Sequence, residues 1–376
     1  MSRELADDDP LKWRYTEHAR AKHAIQWTYL GAWLPILGTR FSPLVLFDGF
    51  AGRGRYSTGE DGSPLLFWKR SVEAVEGGRP REVRIRCVEA NRGNYENLRE
   101  VIQSLRHPGV QIASTHGKFA EEAAAAAARL RAWRRIPPSF WTADPYGFSG
   151  VPLDTIADLM HLPRSEVLIT FMVRDMRRFL GEPNFDAPLN QFFGGDAWRR
   201  CVDMQDADDR ERCLLLTYSE LIRNGIARFA TPFRVFEDER RQTLYYLVHL
   251  TNEPLGMRKM KEAMIKESPD MTFWPVTVRP PDQLALDTQE QAPYPSLQRH
   301  LLDTYGGRTL SFEDLLNTDY PEGLWLEPDY RAAILDLEHR SEQAQVSRER
   351  DTPTGRAPRG LQLPDNVTFS SQTSFL

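Results

Sequence analysis

The stretch of sequence with the clearest chemical meaning runs from residue 44 to residue 65, LVLFDGFAGRGRYSTGEDGSPL. Its first residues, Leu44 to Phe47, are apolar and predict a buried strand. The strand leads into a carboxylate and a turn of small residues, where glycine lets a ligand approach the backbone closely. The glycine order differs from the GxGxxG of a dinucleotide site. The residues form instead a DxFxGxG pattern, which consists of Asp48, Gly49, Phe50, Gly52 and Gly54.

The DxFxGxG pattern suits the amino-acid part of S-adenosylmethionine. That cofactor needs a carboxylate for its ammonium group, glycines to admit its bulk, and a second acid for its ribose hydroxyls. We expect Asp48 to supply the first carboxylate. Glu89, at the end of the predicted strand 82–88, is expected to supply the second. The alternative is a tight strand-to-helix turn that binds no ligand.

A second candidate site is the tetrad DPYG, which follows the predicted strand Phe140 to Ala143. Methyl transfer to an amine needs a hydrogen-bond acceptor for the amine and a surface for a planar ring. We expect Asp144 to be that acceptor and Tyr146 to stack on the ring. In amino-methylating enzymes the comparable tetrad has two prolines before the aromatic residue, and here one is absent. The alternative is that Asp144 caps the following helix and Tyr146 fills space.

Strands and helices alternate about five times from residue 44 to residue 173, which predicts a parallel sheet with helices on both faces. Ligands on such a sheet bind beyond the carboxyl ends of the strands. Asp48, Glu89 and Asp144 end three of these strands, so we expect them at one edge. The sequence therefore predicts a Rossmann-like doubly wound α/β sheet.

Composition and periodicity also predict how the chain is divided. The helix over 16–37 is amphipathic, and its residues His18 and Lys22 either form the polar end of a packed helix or face a ligand. Two further strands are predicted at 243–250 and 273–278. We predict an N-terminal helical segment over 1–40, a Rossmann-like domain over 41–280 with a helical insertion at about 184–230, a linker over 281–295, and a small winged-helix-like module over 296–370.

The chain resembles the three-Cys-motif partner protein family, which is similar in turn to class I S-adenosylmethionine-dependent methyltransferases. The resemblance is carried by EHARAKHAIQWTYLGAWLPIL, FDGFAGRGRYSTGEDGSPL, CVEANRGNYENL and TADPYGFSGVPLDTI. It implies the class I methyltransferase fold and a companion protein that carries three cysteines. It also implies S-adenosylmethionine as the cofactor, with Asp48, Phe50, Gly52 and Gly54 around its methionine part, Glu89 on its ribose, and Asp144 and Tyr146 facing the acceptor.

Two groups of arginines predict contact with phosphates. The first lies on loops at the predicted edge of the sheet and consists of Arg53, Arg55, Arg174, Arg177 and Arg178. The second lies in the C-terminal module and consists of Arg348, Arg350, Arg356 and Arg359. We therefore expect a nucleic acid or a nucleotide as partner. The alternative is that these side chains are merely solvated.

The composition argues against several classes of protein. The 376 residues are 41% hydrophobic with a formal charge of −5, and no apolar run is long enough for a membrane span. The N-terminus lacks the pattern of a secretion signal. The three cysteines, Cys87, Cys201 and Cys213, are too few for a disulfide framework, so we expect a reduced, cytoplasmic protein. The eight histidines show no metal-ligand spacing, and no metal site is predicted.

These observations leave three functional hypotheses. The first is an S-adenosylmethionine-dependent methyltransferase that acts on a nucleic acid or a nucleotide. The second is a binding or scaffold protein that keeps the methyltransferase shape and serves the three-cysteine companion. The third is a metal-dependent enzyme acting on phosphates, in which Asp48, Glu89 and Asp144 converge on Mg²⁺.

Overall fold

A seven-stranded sheet forms the centre of the first unit of the chain. Its order is β3-β2-β1-β4-β5-β7-β6. Strands β1 to β5 run parallel, and β7 runs antiparallel to both of its neighbours. The strands are β1 Leu44–Asp48, β2 Val83–Glu89, β3 Val110–His116, β4 Ser139–Ala143, β5 Ser165–Phe171, β6 Phe229–Glu237 and β7 Gln242–Thr251.

The computed structural model describes residues 14–237, 242–267, 294–320, 325–339, 346–349 and 360–370. They belong to two compact units, which are divided after Val276. The predicted strand 273–278 and nearly all of the predicted linker 281–295 lie outside the described residues. The same holds for Arg350, Arg356 and Arg359.

The sheet order changes direction between β1 and β4, and a crevice for ligands opens beyond the carboxyl ends of strands at such a switch point. In the strand register Asp48 pairs with Cys87 on one side and Thr142 on the other. Glu89 and Asp144 each follow two residues later, so all three predicted carboxylates come to one edge. The predicted Rossmann-like doubly wound α/β sheet is confirmed, and its class I methyltransferase type stays a prediction.

Helices cover both faces of this sheet. Every residue of β1 is buried. Alternate residues of a strand point to opposite faces. Val45 and Phe47 pack in one core cluster with Phe119 and Ile156 from the helices of that face. The helices are α1 Glu17–Gly38, α2 Ser63–Glu76, α3 Arg92–Ile102, α4 Phe119–Arg131, α5 Leu153–Met160, α6 Val173–Phe179, α7 Asp186–Phe193, α8 Ala207–Arg223 and α9 Pro254–Lys266.

Helix α1 is fixed to the sheet by a buried carboxylate. Glu166 of β5 accepts hydrogen bonds from the Tyr29 hydroxyl and, at 3.0 Å, from the indole nitrogen of Trp33, both on α1. His249 of β7 adds a third hydrogen bond at 2.8 Å. Only 3% of Glu166 is exposed. A buried carboxylate is stabilised when several donors surround it, so this cluster holds α1, β5 and β7 together.

The predicted helical insertion at 184–230 is correct for most of its length and wrong at its end. It contains α7, a 3₁₀ helix over Ala197–Cys201, and α8. The chain then enters strand β6 at Phe229, which was not predicted. This strand lies at the edge of the sheet, where Pro232 is tolerated because one side of an edge strand needs no ladder hydrogen bonds.

The expectation that all cysteines are reduced is also wrong. Cys201 and Cys213 form a disulfide, with their Cα atoms 5.6 Å apart. The 3₁₀ helix ends at Cys201 and packs against α8, which carries Cys213. Cys87 is a buried free thiol inside β2, as the sequence indicates.

The second unit consists, in its described residues, of helices and an antiparallel sheet. Asp319 joins its three helices, since it bonds His300 at 2.7 Å, the Tyr305 hydroxyl at 3.1 Å and the Tyr330 hydroxyl at 2.5 Å. The elements are α10 Tyr294–Tyr305, β8 Thr309–Ser311, α11 Phe312–Asp319, α12 Glu327–His339, β9 Val346–Glu349 and β10 Asn366–Phe369, with the strands in the order β8-β10-β9. That this unit is a winged-helix-like module stays a prediction.

Among the helices that the structure describes, none has both the length and the apolar character of a membrane span.

The buried cluster around Glu166 leads to a prediction about stability. Replacing Glu166 by Ala should lower the free energy of unfolding by about 3 kcal/mol or more, because three buried donors lose their acceptor. Glu166→Gln keeps an acceptor oxygen and should cost less. Urea unfolding followed by tryptophan fluorescence measures the difference. Glu220→Gln is the control, because Glu220 pairs with Arg200 at a half-exposed position. Equal losses for Glu166→Ala and the control would contradict this account of α1.

Candidate functional site

Asp48 occupies the carboxyl end of β1, at the centre of the candidate site. Its Oδ1 atom accepts a hydrogen bond from the Thr142 hydroxyl at 3.3 Å and one from the Phe50 N–H at 3.4 Å. Its Oδ2 atom is buried and has no hydrogen-bond partner in the described part of the chain. Burial raises the pKa of Asp48 to about 6, although the Ser63 hydroxyl and the Phe50 N–H favour the charged form.

The turn after Asp48 is held by β2. Glu89 faces this turn, and its Oε2 atom accepts the Gly52 N–H at 2.9 Å. Its Oε1 atom accepts the Asn91 N–H at 2.7 Å, at the start of α3. Each carboxylate oxygen can accept a second hydrogen bond. Asp48 and Glu89 therefore flank one turn, as the predicted cofactor site requires.

The glycines of the turn have two different roles. Gly52 and Gly54 have φ angles of +60° and +81°, a region that strongly favours glycine. Gly49 is needed for packing, because a Cβ atom there would lie 2.2 Å from the Phe119 ring. Phe50 also packs on Phe119, with ring centroids 5.4 Å apart. Of the predicted cofactor residues, Gly49 and Phe50 thus have contacts with α4 that explain their presence.

Asp144 lies just beyond β4 and forms an ion pair that the sequence did not predict. Its Oδ2 atom accepts a hydrogen bond from the ammonium group of Lys22 on α1, and its Oδ1 atom accepts one from the Thr170 hydroxyl at 2.5 Å. Burial alone would raise the pKa of Asp144, but Lys22 and Thr170 outweigh it and hold the pKa below its usual value. Both carboxylate oxygens therefore have partners within the chain.

The pair with Asp144 keeps Lys22 charged. Burial alone would lower the pKa of Lys22, but Asp144 raises it above the usual value, with help from the nearby hydroxyls of Tyr245 and Tyr56. Only 13% of the Lys22 side chain is exposed. This ammonium group is therefore a fixed positive charge beside the acceptor position that the sequence predicts.

Aromatic side chains surround the Lys22–Asp144 pair. Burial raises the pKa of Tyr56 to about 12, and burial together with Lys22 lowers the pKa of His23 to about 4. His23 is therefore neutral at neutral pH. Tyr15, just before α1, lies 4.9 Å from Tyr56 between ring centroids, and His23 lies 5.8 Å from Tyr56. These contacts join the N-terminal end of α1 to the turn after β1.

Tyr146 lies on the open side of the site. It follows Asp144 by two residues, and 90% of it is exposed. The alternative in which Tyr146 fills internal space does not agree with this exposure. The structure therefore leaves this ring accessible to a planar group at the edge of the sheet.

The described arginines give limited support to a phosphate-binding surface. Arg177 forms an ion pair with the buried Glu211 at 2.7 Å, and Arg55 lies 3.4 Å from Asp61. In the second unit, the side chain of Arg348 is 5% exposed and pairs with Glu338 at 2.7 Å. These three side chains hold carboxylates of the chain itself.

The alternative with a metal ion finds no support in the part of the chain that the structure describes. No group of three or more histidine, cysteine, aspartate or glutamate side chains there could hold a metal. Asp48, Glu89 and Asp144 meet at one edge, but their nearest partners are backbone N–H groups, hydroxyls and Lys22.

Sequence reasoning missed the residues that reach the site from distant parts of the chain. The sequence places Lys22 at the polar end of its helix, and no pattern in the sequence indicates a partner for Lys22 or for Tyr56. Thr170 and Tyr245 lie in strands and gave no signal. His23 is separated from Tyr56 by a helix and a strand, and only the packing of α1 brings them together.

Comparisons with known proteins give structural likeness only. The chain matches no known protein-family profile, so the resemblance to three-Cys-motif partner proteins stays a prediction. No curated protein matches it in sequence.

Solved structures similar to the chain include human methyltransferase-like protein 13 in complex with SAH, at 12% identity and a TM-score of 0.36, covering 66% of this chain and 91% of that one. A DUF574 family protein from Streptomyces avermitilis has 13% identity and a TM-score of 0.33, covering 62% of this chain and 87% of that one. Magnesium protoporphyrin IX methyltransferase from Synechocystis, with bound SAH, has 12% identity and a TM-score of 0.30, covering 63% of this chain and 89% of that one.

Proposed function

We propose that the first unit binds S-adenosylmethionine at the carboxyl ends of β1 and β2 and acts as a methyltransferase. The observation that carries this proposal is the buried Oδ2 atom of Asp48, which has no partner in the described part of the chain. A buried polar atom without a hydrogen bond is costly, so such an atom at a ligand crevice is best explained by a ligand that supplies the donor. The ammonium group of the cofactor is such a donor.

The residues at this edge fit the rest of the cofactor. Gly52 and Gly54 keep the turn free of side chains where the methionine part would lie. Glu89 presents a carboxylate to the same turn and would hold the ribose hydroxyls. When bound, the cofactor supplies an electrophilic methyl group on its positively charged sulfur. The chain would orient that group by holding the ammonium group of the cofactor at Asp48 and its ribose hydroxyls at Glu89.

The acceptor is expected next to Asp144. The exposed ring of Tyr146 is suited to stack on a planar group there, which includes the bases of a nucleic acid or a nucleotide. Neither Arg177 nor Arg348 supports that choice, because each is engaged with carboxylates of the chain itself.

One observation favours the alternative of a non-catalytic scaffold protein. Both oxygens of Asp144 already accept hydrogen bonds from Lys22 and Thr170 of the same chain, so the carboxylate that would receive an amine is engaged in an internal ion pair. A scaffold for a three-cysteine companion would show no methyl transfer, whether or not it binds the cofactor.

Cofactor binding can be tested by isothermal titration with S-adenosylhomocysteine. The unmodified chain should bind, and Glu89→Gln should weaken binding by about tenfold or more, because a charged hydrogen bond to the ribose is lost. Glu100→Gln on the exposed side of α3 is the matched control and should bind as the unmodified chain does. If the unmodified chain shows no binding, the proposed function is wrong.

Asp48→Asn should separate stability from binding. The pKa of Asp48 in the folded chain, about 6, exceeds its ordinary value of 3.8, so the folded state holds the proton more tightly than the unfolded state. Asp48 therefore destabilises the fold increasingly as pH rises from about 4 to about 6, and by about 3 kcal/mol above that window. At about pH 7.5, Asp48→Asn should unfold at a higher temperature than the unmodified chain. The gain should vanish below about pH 4.

The same variant should lose affinity for S-adenosylmethionine, because the ammonium group of the cofactor then has no charged partner. In the unmodified chain this affinity should rise with pH as Asp48 ionises, and in Asp48→Asn it should not. Asp158→Asn, at a half-exposed position paired with Arg131, is the control for both measurements. A destabilised Asp48→Asn with unchanged affinity would contradict the role given to Asp48.

A further inference from the structure

We propose that Lys22 binds a carboxylate of the acceptor, so that the methyl group is transferred to a carboxylate oxygen and not to an amine. This inference rests on the proposed function and names its substrate class. It replaces the amine acceptor expected from the DPYG tetrad. The geometry of Lys22, Asp144 and Thr170 carries it.

The first step of the argument concerns the hydrogen-bonding capacity of Lys22. An ammonium group has three N–H donors. In the described part of the chain, one donor goes to Asp144, and no acceptor is found for the other two. The side chain is 13% exposed, and the hydroxyls of Tyr56 and Tyr245 lie near its ammonium group. A ligand with two adjacent oxygens matches the remaining donors.

The second step concerns Asp144, which an amine acceptor would need. An amine nucleophile has to give a hydrogen bond to a nearby acceptor. The two oxygens of Asp144 already accept from Lys22 and from Thr170, the latter at 2.5 Å. Each oxygen can accept one more hydrogen bond, but an incoming amine would have to share that oxygen with Thr170 or with the ammonium group of Lys22.

The third step concerns charge in the transition state. An amine gains positive charge as it takes the methyl group, and it would do so beside the ammonium group of Lys22. Like charges in a partly buried site repel strongly. A carboxylate oxygen has the opposite charge, so Lys22 attracts and orients it. The contribution of Lys22 is to hold the acceptor oxygen in position for attack, and such positioning of the reacting groups favours the reaction.

The chemical step is balanced without a proton acceptor. A lone pair of the carboxylate oxygen attacks the methyl carbon, the bond between sulfur and that carbon breaks, and the sulfur keeps the bonding electrons. The products are a neutral methyl ester and a neutral thioether. No proton moves, which agrees with the side chains around Lys22. His23 has a pKa lowered to about 4 by burial and by Lys22, so it is a weak base.

The experiment uses the full chain, tritiated S-adenosylmethionine and three probes with the same flat ring: benzoate, benzamide and aniline. The ring of each probe can stack on Tyr146, and only benzoate carries a charged carboxylate. Methyl ester is measured as volatile methanol released by alkali, and methyl on nitrogen is measured by mass spectrometry. We expect transfer to benzoate to exceed transfer to aniline by about tenfold or more.

Variants of Lys22 test the assigned contact. Lys22→Met should reduce transfer to benzoate by about tenfold or more, with binding of S-adenosylhomocysteine unchanged. Lys22→Arg should recover part of the activity because it keeps the charge. The matched control is Lys259→Met, since Lys259 forms an ion pair with Glu262 at 2.6 Å on α9. Melting curves show whether Lys22→Met folds. If it does not fold, the activity of Lys22→Arg decides whether the charge at this position is needed.

The outcomes separate this inference from the proposed function. If the unmodified chain does not bind the cofactor, both the proposed function and this inference are overturned. Intact cofactor binding with transfer to aniline, or with no transfer to any probe, overturns only the carboxylate acceptor. If Lys22→Met leaves transfer to benzoate unchanged, the inference is also overturned, because the contact between Lys22 and the carboxylate would then have no role.

Discussion

Three carboxylates meet at one edge of the sheet, and the site depends on how each charge is compensated. Parallel pairing of β1 with β2 and β4 forces this meeting, since Asp48, Glu89 and Asp144 all follow the ends of these strands. Three uncompensated charges in a partly buried crevice would repel each other. Glu89 is stabilised by backbone N–H groups and Asp144 by Lys22. Asp48 is left with a raised pKa and one oxygen without a partner among the described residues.

The position of α1 follows from the same constraint. Glu166 holds the middle of this helix through Tyr29 and Trp33, and Asp144 holds its N-terminal part through Lys22. Both anchors are polar groups of the sheet that would be costly to bury alone. Helix α1 therefore lines the site and also packs against the sheet. A change at Glu166 would act on the site through the placement of Lys22.

The sequence predicts the parts of this structure that depend on local pattern. Apolar strands followed by Asp48, Glu89 and Asp144 are recognisable because a strand and the residue after it are neighbours in the chain. The pair of Lys22 and Asp144 joins residues 122 positions apart, and no periodicity reports such a contact. Strand β6 was missed because Pro232 lowers its strand signal. The disulfide was missed because three scattered cysteines form no recognisable pattern.

The two halves of the site come from different parts of the fold, and this division has a consequence for specificity. The proposed cofactor side is built from β1, β2 and the glycine turn, which the sheet holds in place. The proposed acceptor side is built from β4, Thr170 of β5 and the N-terminal part of α1, with Tyr15 and His23 packed against Tyr56. Residues in the N-terminal part of α1, before Tyr29, are neither in the sheet nor in the Glu166 cluster, so they can change without altering the strands that carry Asp48 and Glu89. In the proposed function, choice of the acceptor would therefore depend mainly on α1, through the charge of Lys22 beside Asp144.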